Sequence, residues 1–194
     1  MKIVFATNNQ HKLKEVKNLA GHGFEISGLK DIGCAEDIAE TGETLEENAL
    51  IKASFIKERF DLDCFADDTG LEIEALDGKP GVYSARYAGP ENDFRKNIAK
   101  VLNELKAEEN RKARFRTVIA LLIKDETHYF EGIVEGRIID EMRGQGGFGY
   151  DPVFLPDGFD KTFAQMDLEQ KNRISHRARA TSKLIEFLKN KLAG

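Results

Sequence analysis

The feature that most constrains the fold is the alternation of short apolar segments with amphipathic helical patterns. Residues 2–7 form an apolar run typical of a buried strand, and a helical pattern follows directly and stops at Gly21. A second helix is predicted to begin at Thr44, because its hydroxyl and the carboxylate of Glu47 have the spacing of a capping box. Since strands and helices alternate without a repeat or a Pro-rich linker, we predict one mixed-sheet α/β unit.

Further apolar patterns extend this alternation to the end of the chain. The predicted elements are strands at 63–66 and 71–76, a helix at 93–105, strands at 115–123 and 129–139, and a final helix starting near Ser175. The segment 67–70 contains turn-forming residues, so we expect it to interrupt the first two of these strands. In the helix at 93–105, the spacing places Phe94 among the residues that face inward.

The composition is that of a globular protein that needs no disulfide bond. The 194 residues are 41% hydrophobic and 32% charged, which suits one domain over residues 1–194 with a sizeable core. Cys34 and Cys64 are expected to be free thiols. No segment has the pattern of a membrane span or a signal peptide, so we expect a cytoplasmic protein without a membrane partner. The formal net charge of −5 argues against nucleic acid as a partner and requires any anion site to be local.

The first candidate site is the polar segment between the first strand and the first helix. Its residues are Thr7, Asn8, Asn9, Gln10, His11 and Lys12. A helix N-terminus presents N–H groups and a favourable dipole to a phosphate, and Lys12 adds a full positive charge. Asn and Thr also cap helices for purely structural reasons, so this segment alone leaves both interpretations open.

The second candidate site is the acidic pair Asp67 and Asp68, together with Glu40 in the loop before the second helix. Successive side chains of a strand point to opposite faces, so we expect one aspartate to face the site and the other to support it. Carboxylate oxygens without a nearby Cys or His cluster favour Mg²⁺, or Mn²⁺ as a substitute, over zinc. For the glutamates at 43–47, a solvated acidic loop is an equally good interpretation.

Two further segments have residues suited to binding a nucleoside. The Gly-rich segment 144–152 contains Phe148, whose ring could stack on a base, and Asp151, whose carboxylate could contact the base edge. The basic segment 171–177 lies near the start of the final helix, where positive charge opposes the helix dipole. Such an unfavourable placement indicates recognition of an anion or an electronegative base edge. A bulged turn and a solvated basic helix start are the structural alternatives.

Six motifs occur in the order and spacing of the inosine triphosphate pyrophosphatase family, the Ham1-like enzymes, which the whole chain resembles. They are Thr-Asn-Asn-Gln-His-Lys at 7–12, Glu-Thr-Gly at 40–42 with Glu-Asn-Ala at 47–49, Ala-Asp-Asp-Thr-Gly-Leu at 66–71, Pro-Gly-Val-Tyr-Ser-Ala-Arg-Tyr-Ala-Gly at 80–89, Phe-Gly-Tyr-Asp-Pro at 148–152 and Ser-His-Arg at 175–177. Two residues depart from the family pattern: Asn8 stands where Gly is common, and Thr69 where bacterial members commonly have Ser. Asn tolerates a left-handed backbone and Thr keeps the hydroxyl, so neither departure removes a required group.

The resemblance implies an elongated mixed-sheet α/β fold with flanking helices and two lobes around a central active-site cleft, assembled as a homodimer. It also implies that Glu40 and Asp68 are the carboxylates that bind Mg²⁺, with Asp68 in the position of the proton acceptor. The residues similar to substrate-binding positions of the family are Thr7, Asn8, Asn9, Gln10, His11, Lys12, Lys52, Thr69, Phe148, Gly149, Tyr150, Asp151, Lys171, His176 and Arg177. For Arg86, the resemblance leaves open a phosphate contact or a role in the dimer.

The activity implied is hydrolysis of damaged purine nucleoside triphosphates, such as ITP, dITP and XTP, to the monophosphate and pyrophosphate. Donors on Lys171, His176 and Arg177 suit the 6-oxo group shared by hypoxanthine and xanthine. One alternative is a nucleotide-binding module without hydrolysis, in which the carboxylates at 40 and 68 have little purpose. Another is a house-cleaning pyrophosphatase for modified pyrimidine nucleotides, against which the motifs at 148–151 and 175–177 argue.

Overall fold

A computed structural model describes residues 1–193 of the chain, and Gly194 of the predicted domain lies outside the described residues. The helices are α1 (Gln10–Ala20), α2 (Leu45–Phe60), α3 (Phe94–Glu104), α4 (Leu168–Ile174) and α5 (His176–Ala193). The strands are β1 (Lys2–Phe5), β2 (Glu25–Ser27), β3 (Cys64–Ile73), β4 (Pro80–Gly81), β5 (Lys112–Ile123), β6 (Glu126–Ile138) and β7 (Phe154–Pro156). No helix among the described residues has the length and apolarity needed to cross a membrane.

The strands form a mixed sheet with the order β2-β1-β3-β5-β6-β7, and β4 pairs with β3 off this path. β1 pairs in parallel with both β2 and β3, whereas β4 on β3 and β7 on β6 are antiparallel. Parallel strands need a crossover connection, which α1 supplies between the neighbours β1 and β2, and α2 supplies from β2 to β3 on the other side of β1. The predicted mixed-sheet α/β fold with flanking helices is confirmed.

The described chain divides into two compact units. The first unit comprises Met1–Asp68, Thr117–Gly132 and the chain from His176 onward, and the second comprises Thr69–Arg116 and Ile133–Ser175. The chain passes from the first unit to the second within β3, between Asp68 and Thr69. Each candidate residue can therefore be assigned to one unit or the other.

The predicted C-terminal end of α1 and the predicted N-terminal start of α2 agree with the structure. Asn9 caps α1, and Gly21 ends it with a φ of 59°, a conformation that glycine adopts without a steric penalty. At the start of α2, the Thr44 hydroxyl accepts from Glu47 N while a Glu47 carboxylate oxygen accepts from Thr44 N, at 3.1 and 3.3 Å. This reciprocal capping box satisfies N–H groups that have no partner within the helix.

The prediction of two strands separated by an acidic turn at 67–70 is wrong. A single strand, β3, continues from Cys64 to Ile73 through this segment. Turn propensity is a weak local preference, and here tertiary contacts override it, because Asp67 and Asp68 are buried in ion pairs with other elements. The acidic pair is thus part of the sheet and is held by the rigid element that it was expected to interrupt.

The inward orientation predicted for Phe94 is also wrong, since its side chain is 41% exposed. Phe94 is the first residue of α3, and the guanidinium carbon of Arg95 lies 5.9 Å from its ring centroid. The sequence patterns missed α4 and the short strands β2 and β7. Each of these elements is three to seven residues long, too short for hydrophobic periodicity to be distinctive.

Each unit contains its own aromatic packing. In the first unit, the fully buried rings of Phe5 and Phe65 stack with centroids 4.6 Å apart, which joins β1 to β3. In the second unit, the rings of Phe115, Phe154 and Phe163 pack against one another at centroid distances of 4.7 to 6.1 Å. Cys34 and Cys64 are free and buried, as predicted. The packing of the first unit fixes the strand ends from which the candidate site residues extend.

Replacing Phe65 by alanine should lower the free energy of unfolding by about 3–5 kcal/mol, because the large cavity left between β1 and β3 cannot close. Phe94→Ala is the matched control, since its exposed ring should cost less than about 1 kcal/mol. Urea denaturation followed by circular dichroism measures both values. Equal losses for the two variants would contradict the assignment of Phe65 to the core and Phe94 to the surface.

Candidate functional site

The segment between β1 and α1 is a turn that caps the helix with its own side chains. The Thr7 hydroxyl accepts from Asn9 N at 3.1 Å. The Asn9 side-chain oxygen accepts from the backbone N–H groups of His11 and Lys12 at 2.9 and 3.2 Å. The structural alternative for this segment is therefore observed, and a phosphate bound here would meet a turn whose geometry is already set.

Three other residues of this turn are exposed, although Asn8 Nδ2 donates to Glu36 O at 3.5 Å. The exposed residues are Asn8, Gln10 and His11. Asn8 does not have the left-handed backbone that a glycine at this position would permit, so the departure from the family pattern at residue 8 requires no strained conformation. Exposed polar groups on a rigid turn are accessible to a ligand.

A buried network of charges lies behind this turn, entirely within the first unit. Lys12 Nζ donates to Asp67 Oδ1 at 2.8 Å, and Arg177 Nε donates to Asp67 Oδ2 at 2.8 Å. Arg177 Nη1 donates to Glu15 Oε2 at 2.6 Å. Arg177 is only 1% exposed, and Asp67 only 2%. The network joins α1, β3 and the start of α5, so it fixes the position of the phosphate-binding candidate Lys12.

Charge pairing in this network favours the ionised forms of Asp67 and Arg177, whereas burial lowers the pKa of Lys12 despite the attraction of Asp67. Burial by itself would raise the pKa of Asp67, but the charges of Lys12 and Arg177 hold it well below its usual range. Burial would lower the pKa of Arg177, and the carboxylates of Asp67 and Glu15 raise it instead. Each oxygen of Asp67 has a cationic partner, so this carboxylate supports the site structurally rather than receiving a proton.

Asp68, the neighbouring residue, belongs to a separate group with a lysine between two carboxylates. Lys52 Nζ lies 2.5 Å from Glu40 Oε1 and 3.6 Å from Asp68 Oδ1. Asn48 Nδ2 donates to the other oxygen of Asp68, Oδ2, at 3.1 Å. The expectation that one aspartate faces the site while the other supports it agrees with this division of partners between Asp67 and Asp68.

The pKa of Asp68 is raised above its ordinary value, in contrast to that of Asp67. Burial is the main cause, and Glu40 adds to it, while Lys52 and Lys12 act in the opposite direction. The pKa of Lys52 is raised, because attraction by Asp68 and Glu40 outweighs the effect of burial. A carboxylate with a raised pKa is a stronger base, so Asp68 is the better of the two aspartates for accepting a proton.

The donor set of this group fits a magnesium ion that arrives with phosphate. Glu40 and Asp68 both approach one cationic atom, the Lys52 ammonium nitrogen, with hard carboxylate oxygens. Among residues 1–193, no cluster of three or more Asp, Glu, His or Cys side chains could enclose a metal. A cation held by two carboxylates must complete its coordination with water and ligand oxygens, which is the usual arrangement for Mg²⁺.

The nucleoside-binding candidates at 148–151 and 171 meet in the second unit. Asp151 Oδ2 accepts from Lys171 Nζ at 2.8 Å and from Phe148 N at 2.9 Å. Lys171 Nζ lies 5.0 Å from the Phe148 ring centroid, within cation–π range. A side chain at Gly147 would place its Cβ 2.1 Å from Asp151 Oδ2. Glycine is therefore required where the loop passes over this carboxylate.

The other residues that the sequence predicts to contact the nucleotide are divided between the two units. Tyr150 is buried in the second unit and donates its hydroxyl to Ser84 O at 2.9 Å, so its ring serves the core. Gly149 has a φ of 62°, and Thr69 is half-buried in β3. His176 is 3% exposed at the start of α5, in the first unit. Of the predicted base contacts, Lys171 and 148–151 thus belong to the second unit, whereas His176 and Arg177 belong to the first.

Two buried polar residues in the site were not singled out from the sequence. Glu15 holds Arg177, and Asn48 holds Asp68. Glu15 lies three residues after Lys12 and four before Leu19, on the inward stripe of α1. Asn48 lies four residues before Lys52 on α2. A charged or amide side chain within an apolar helical stripe is the signal that could have identified both.

Asp67→Asn should lower the free energy of unfolding by about 3–5 kcal/mol, because it leaves Lys12 and Arg177 buried without their shared counter-charge. The control is Glu36→Gln, which removes an exposed ion pair with Arg59 at 2.6 Å and should cost less than about 1 kcal/mol. Urea denaturation at neutral pH compares them. A loss at Asp67 no larger than that at Glu36 would contradict the stabilising role of the network.

Comparison with known proteins extends these observations. The curated relatives include the dITP/XTP pyrophosphatase of Christiangramia forsetii, 53% identical over 97% of this chain and 99% of that protein. The dITP/XTP pyrophosphatase of Porphyromonas gingivalis is 55% identical over 96% of this chain and 97% of its own length. Among solved structures, the Staphylococcus aureus Ham1 protein matches with a TM-score of 0.89 and 42% identity, covering 98% of this chain and 100% of the other. The sequence pattern of the Ham1 family matches residues 3–187. The chain therefore belongs to the Ham1 family.

Proposed function

We propose that the protein is a nucleoside triphosphate pyrophosphatase that hydrolyses ITP, dITP and XTP to the monophosphate and pyrophosphate. The relatives that are about half identical to it over nearly their full length are named dITP/XTP pyrophosphatases. The residues of each unit suit this chemistry: the first unit has a carboxylate with a raised pKa and two lysines, and the second unit has an aromatic ring beside a lysine.

The observation that carries the proposal is the placement of Lys52 between Glu40 and Asp68. The carboxylates of the first-unit groups are those of Glu15, Glu40, Asp67 and Asp68, and the cations are those of Lys12, Lys52 and Arg177. The carboxylates outnumber the cations by one, so a polyanionic substrate needs a further cation. We propose Mg²⁺ at Glu40 and Asp68, where it would neutralise charge on the phosphate oxygens.

The proposed reaction is attack of water on the α-phosphorus. Asp68 orients the water and accepts one of its protons while the new oxygen–phosphorus bond forms. The bond between the α-phosphorus and the oxygen that bridges to the β-phosphate breaks, and this oxygen leaves with pyrophosphate. A buried carboxylate with a raised pKa suits this role, because it is a better proton acceptor than an exposed aspartate.

The lysines and the capped turn have the task of offsetting the charge that develops on the leaving group. Lys52 stays protonated between its two carboxylates, and Lys12 is held in place by Asp67. Cations that are fixed before the substrate binds need no reorganisation during the reaction, which is the main source of electrostatic catalysis. We assign the exposed groups of Asn8, Gln10 and His11 to contacts with the triphosphate, and the hydroxyl of Thr69 to a further substrate contact.

We propose that the enzyme selects the nucleobase of its substrate by hydrogen-bond donors that match a 6-oxo group. Phe148 offers a stacking surface, and Lys171 provides a donor beside it that Asp151 holds in place. A contact of His176 or Arg177 with the nucleobase stays a prediction from the sequence, since the Arg177 guanidinium is buried against Asp67 and Glu15. The 6-amino group of adenine donates rather than accepts, so a buried donor would remain unpaired, which costs about 1–3 kcal/mol per group.

The homodimeric state stays a prediction from the family resemblance.

Asp68→Asn should lower kcat for dITP by at least about 10²-fold, because the amide cannot accept the proton. Asp61→Asn is a suitable control: its side chain is 94% exposed, and asparagine tolerates the positive φ found there. Release of pyrophosphate is followed at saturating dITP and MgCl₂. Turnover of Asp68→Asn close to that of the wild type would refute the role of Asp68 as the base.

ITP, dITP and XTP should each yield monophosphate and pyrophosphate in the presence of Mg²⁺, and kcat/KM for ATP should be lower by about tenfold or more. Ion-exchange chromatography identifies the products, and reactions with EDTA test the metal requirement. Diphosphate and phosphate as products would show that a different bond is cleaved. Equal turnover of ATP and ITP would refute the proposed base recognition, and full activity in EDTA would refute the proposed role of magnesium.

A further inference from the structure

Asn48 is a buried side chain to which the proposed reaction assigns no task. It lies on α2, is fully buried and uses both ends of its amide. Its oxygen accepts from Gly42 N at 2.8 Å, and its Nδ2 donates to Asp68 Oδ2 at 3.1 Å. One side chain thus connects the loop that carries Glu40 with the strand that carries Asp68.

The Glu40 side of this connection is tightly constrained. Glu43 N and Thr44 N both donate to Glu47 Oε2, at 2.7 and 3.3 Å. A Cβ placed on Gly42 would lie 2.6 Å from Glu47 Cβ and 2.9 Å from Asn48 Oδ1. The loop therefore lies directly against the first turn of α2, and the hydrogen bond to Asn48 holds it two residues beyond Glu40.

At the other end of this connection, the two carboxylate oxygens of Asp68 have different partners. Oδ2 accepts from Asn48, whereas Oδ1 faces the Lys52 ammonium at 3.6 Å. Asn48 and Lys52 are four residues apart on α2, so they lie on the same face of the helix. Rotation of a carboxylate about its last torsion is only weakly restricted by intrinsic preference, so a donor that binds one oxygen sets the direction of the other.

We propose that Asn48 is a positioning residue that orients Asp68 for catalysis and holds Glu40 beside it. Its amide binds Oδ2 of Asp68 and so directs Oδ1 towards Lys52 and the reacting groups. The same amide anchors the Glu40 loop, which keeps the two carboxylates on one cation. This inference rests on the proposed function, because it assigns the reactive oxygen of the proposed base.

Asn48→Leu removes both hydrogen bonds while keeping the number and branching of the side-chain heavy atoms. The variant should lower kcat for dITP by about 10–100-fold, since a misplacement of about 1 Å has an effect of this size, while KM changes by less than about threefold. Asn97→Leu is the matched control: Asn97 is a buried helical asparagine whose amide also bridges two groups, Ala88 N and Ala85 O, in the second unit. It should lose thermal stability but keep its kcat within about threefold of the wild-type value.

A double-mutant cycle distinguishes positioning from a general loss of structure. Because Asn48 acts in part through Asp68, Asn48→Leu should lower kcat by a smaller factor in the Asp68→Asn background than in the wild type. An equal loss in both backgrounds, or an unchanged kcat in Asn48→Leu itself, would overturn the inference. If Asn48→Leu does not fold, Asn48→Asp keeps the acceptor for Gly42 N and replaces only the donor to Asp68. Wild-type kcat in that variant would also overturn it.

Binding of Mn²⁺ without nucleotide, measured by electron paramagnetic resonance, provides a readout other than activity. Asn48→Leu should weaken Mn²⁺ binding by about threefold or more, because Glu40 and Asp68 no longer face one cation; unchanged binding would contradict this. Failure of the inference and failure of the proposed function give different results. Absence of pyrophosphate release by the wild-type protein refutes the function, whereas normal release together with an unaffected Asn48→Leu refutes only the role of Asn48.

Discussion

The burial of Asp67 between two cations is the interaction on which the candidate site of the first unit depends. A carboxylate in this position would be costly to bury alone, and Lys12 and Arg177 offset that cost because each binds one of its oxygens. The same contacts tie α1 and α5 to β3. The phosphate-binding candidate Lys12 is thus positioned by the packing that stabilises the sheet.

The neighbouring carboxylate has the opposite electrostatic character because of helix α2. Its capping box fixes the loop of Glu40, and one face of the helix presents Asn48 and Lys52 to Asp68. Burial raises the pKa of Asp68 and Glu40 adds to this, while Lys52 and Lys12 offset it only in part; the pKa of Asp67 is lowered by Lys12 and Arg177. Two adjacent residues of one strand therefore differ in the charges around them, which suits Asp68 better than Asp67 to the proposed role of base.

In the second unit, a buried carboxylate likewise positions the nucleoside-binding candidates by pairing with a cation. Asp151 neutralises Lys171 and also accepts from Phe148 N, which keeps the cation and the aromatic ring together. The loop can approach this carboxylate only because residue 147 is glycine. In a chain with a net charge of −5, any site for an anion must be local, and this pairing fixes one lysine beside an aromatic ring.

The α/β class, the end of α1 at Gly21, the capped start of α2 and the motifs that identify the family could all be predicted from the sequence alone. These features depend on local patterns, such as the capping spacing of Thr44 and Glu47. Only the tertiary structure decided that Asp67 is a strand residue paired with Lys12 and Arg177, which are 55 and 110 positions away. The tertiary structure also placed Glu15 against Arg177 and Asn48 against Asp68. Such contacts escape sequence analysis because burial and charge pairing arise between distant segments, whereas propensity and spacing describe only neighbouring residues.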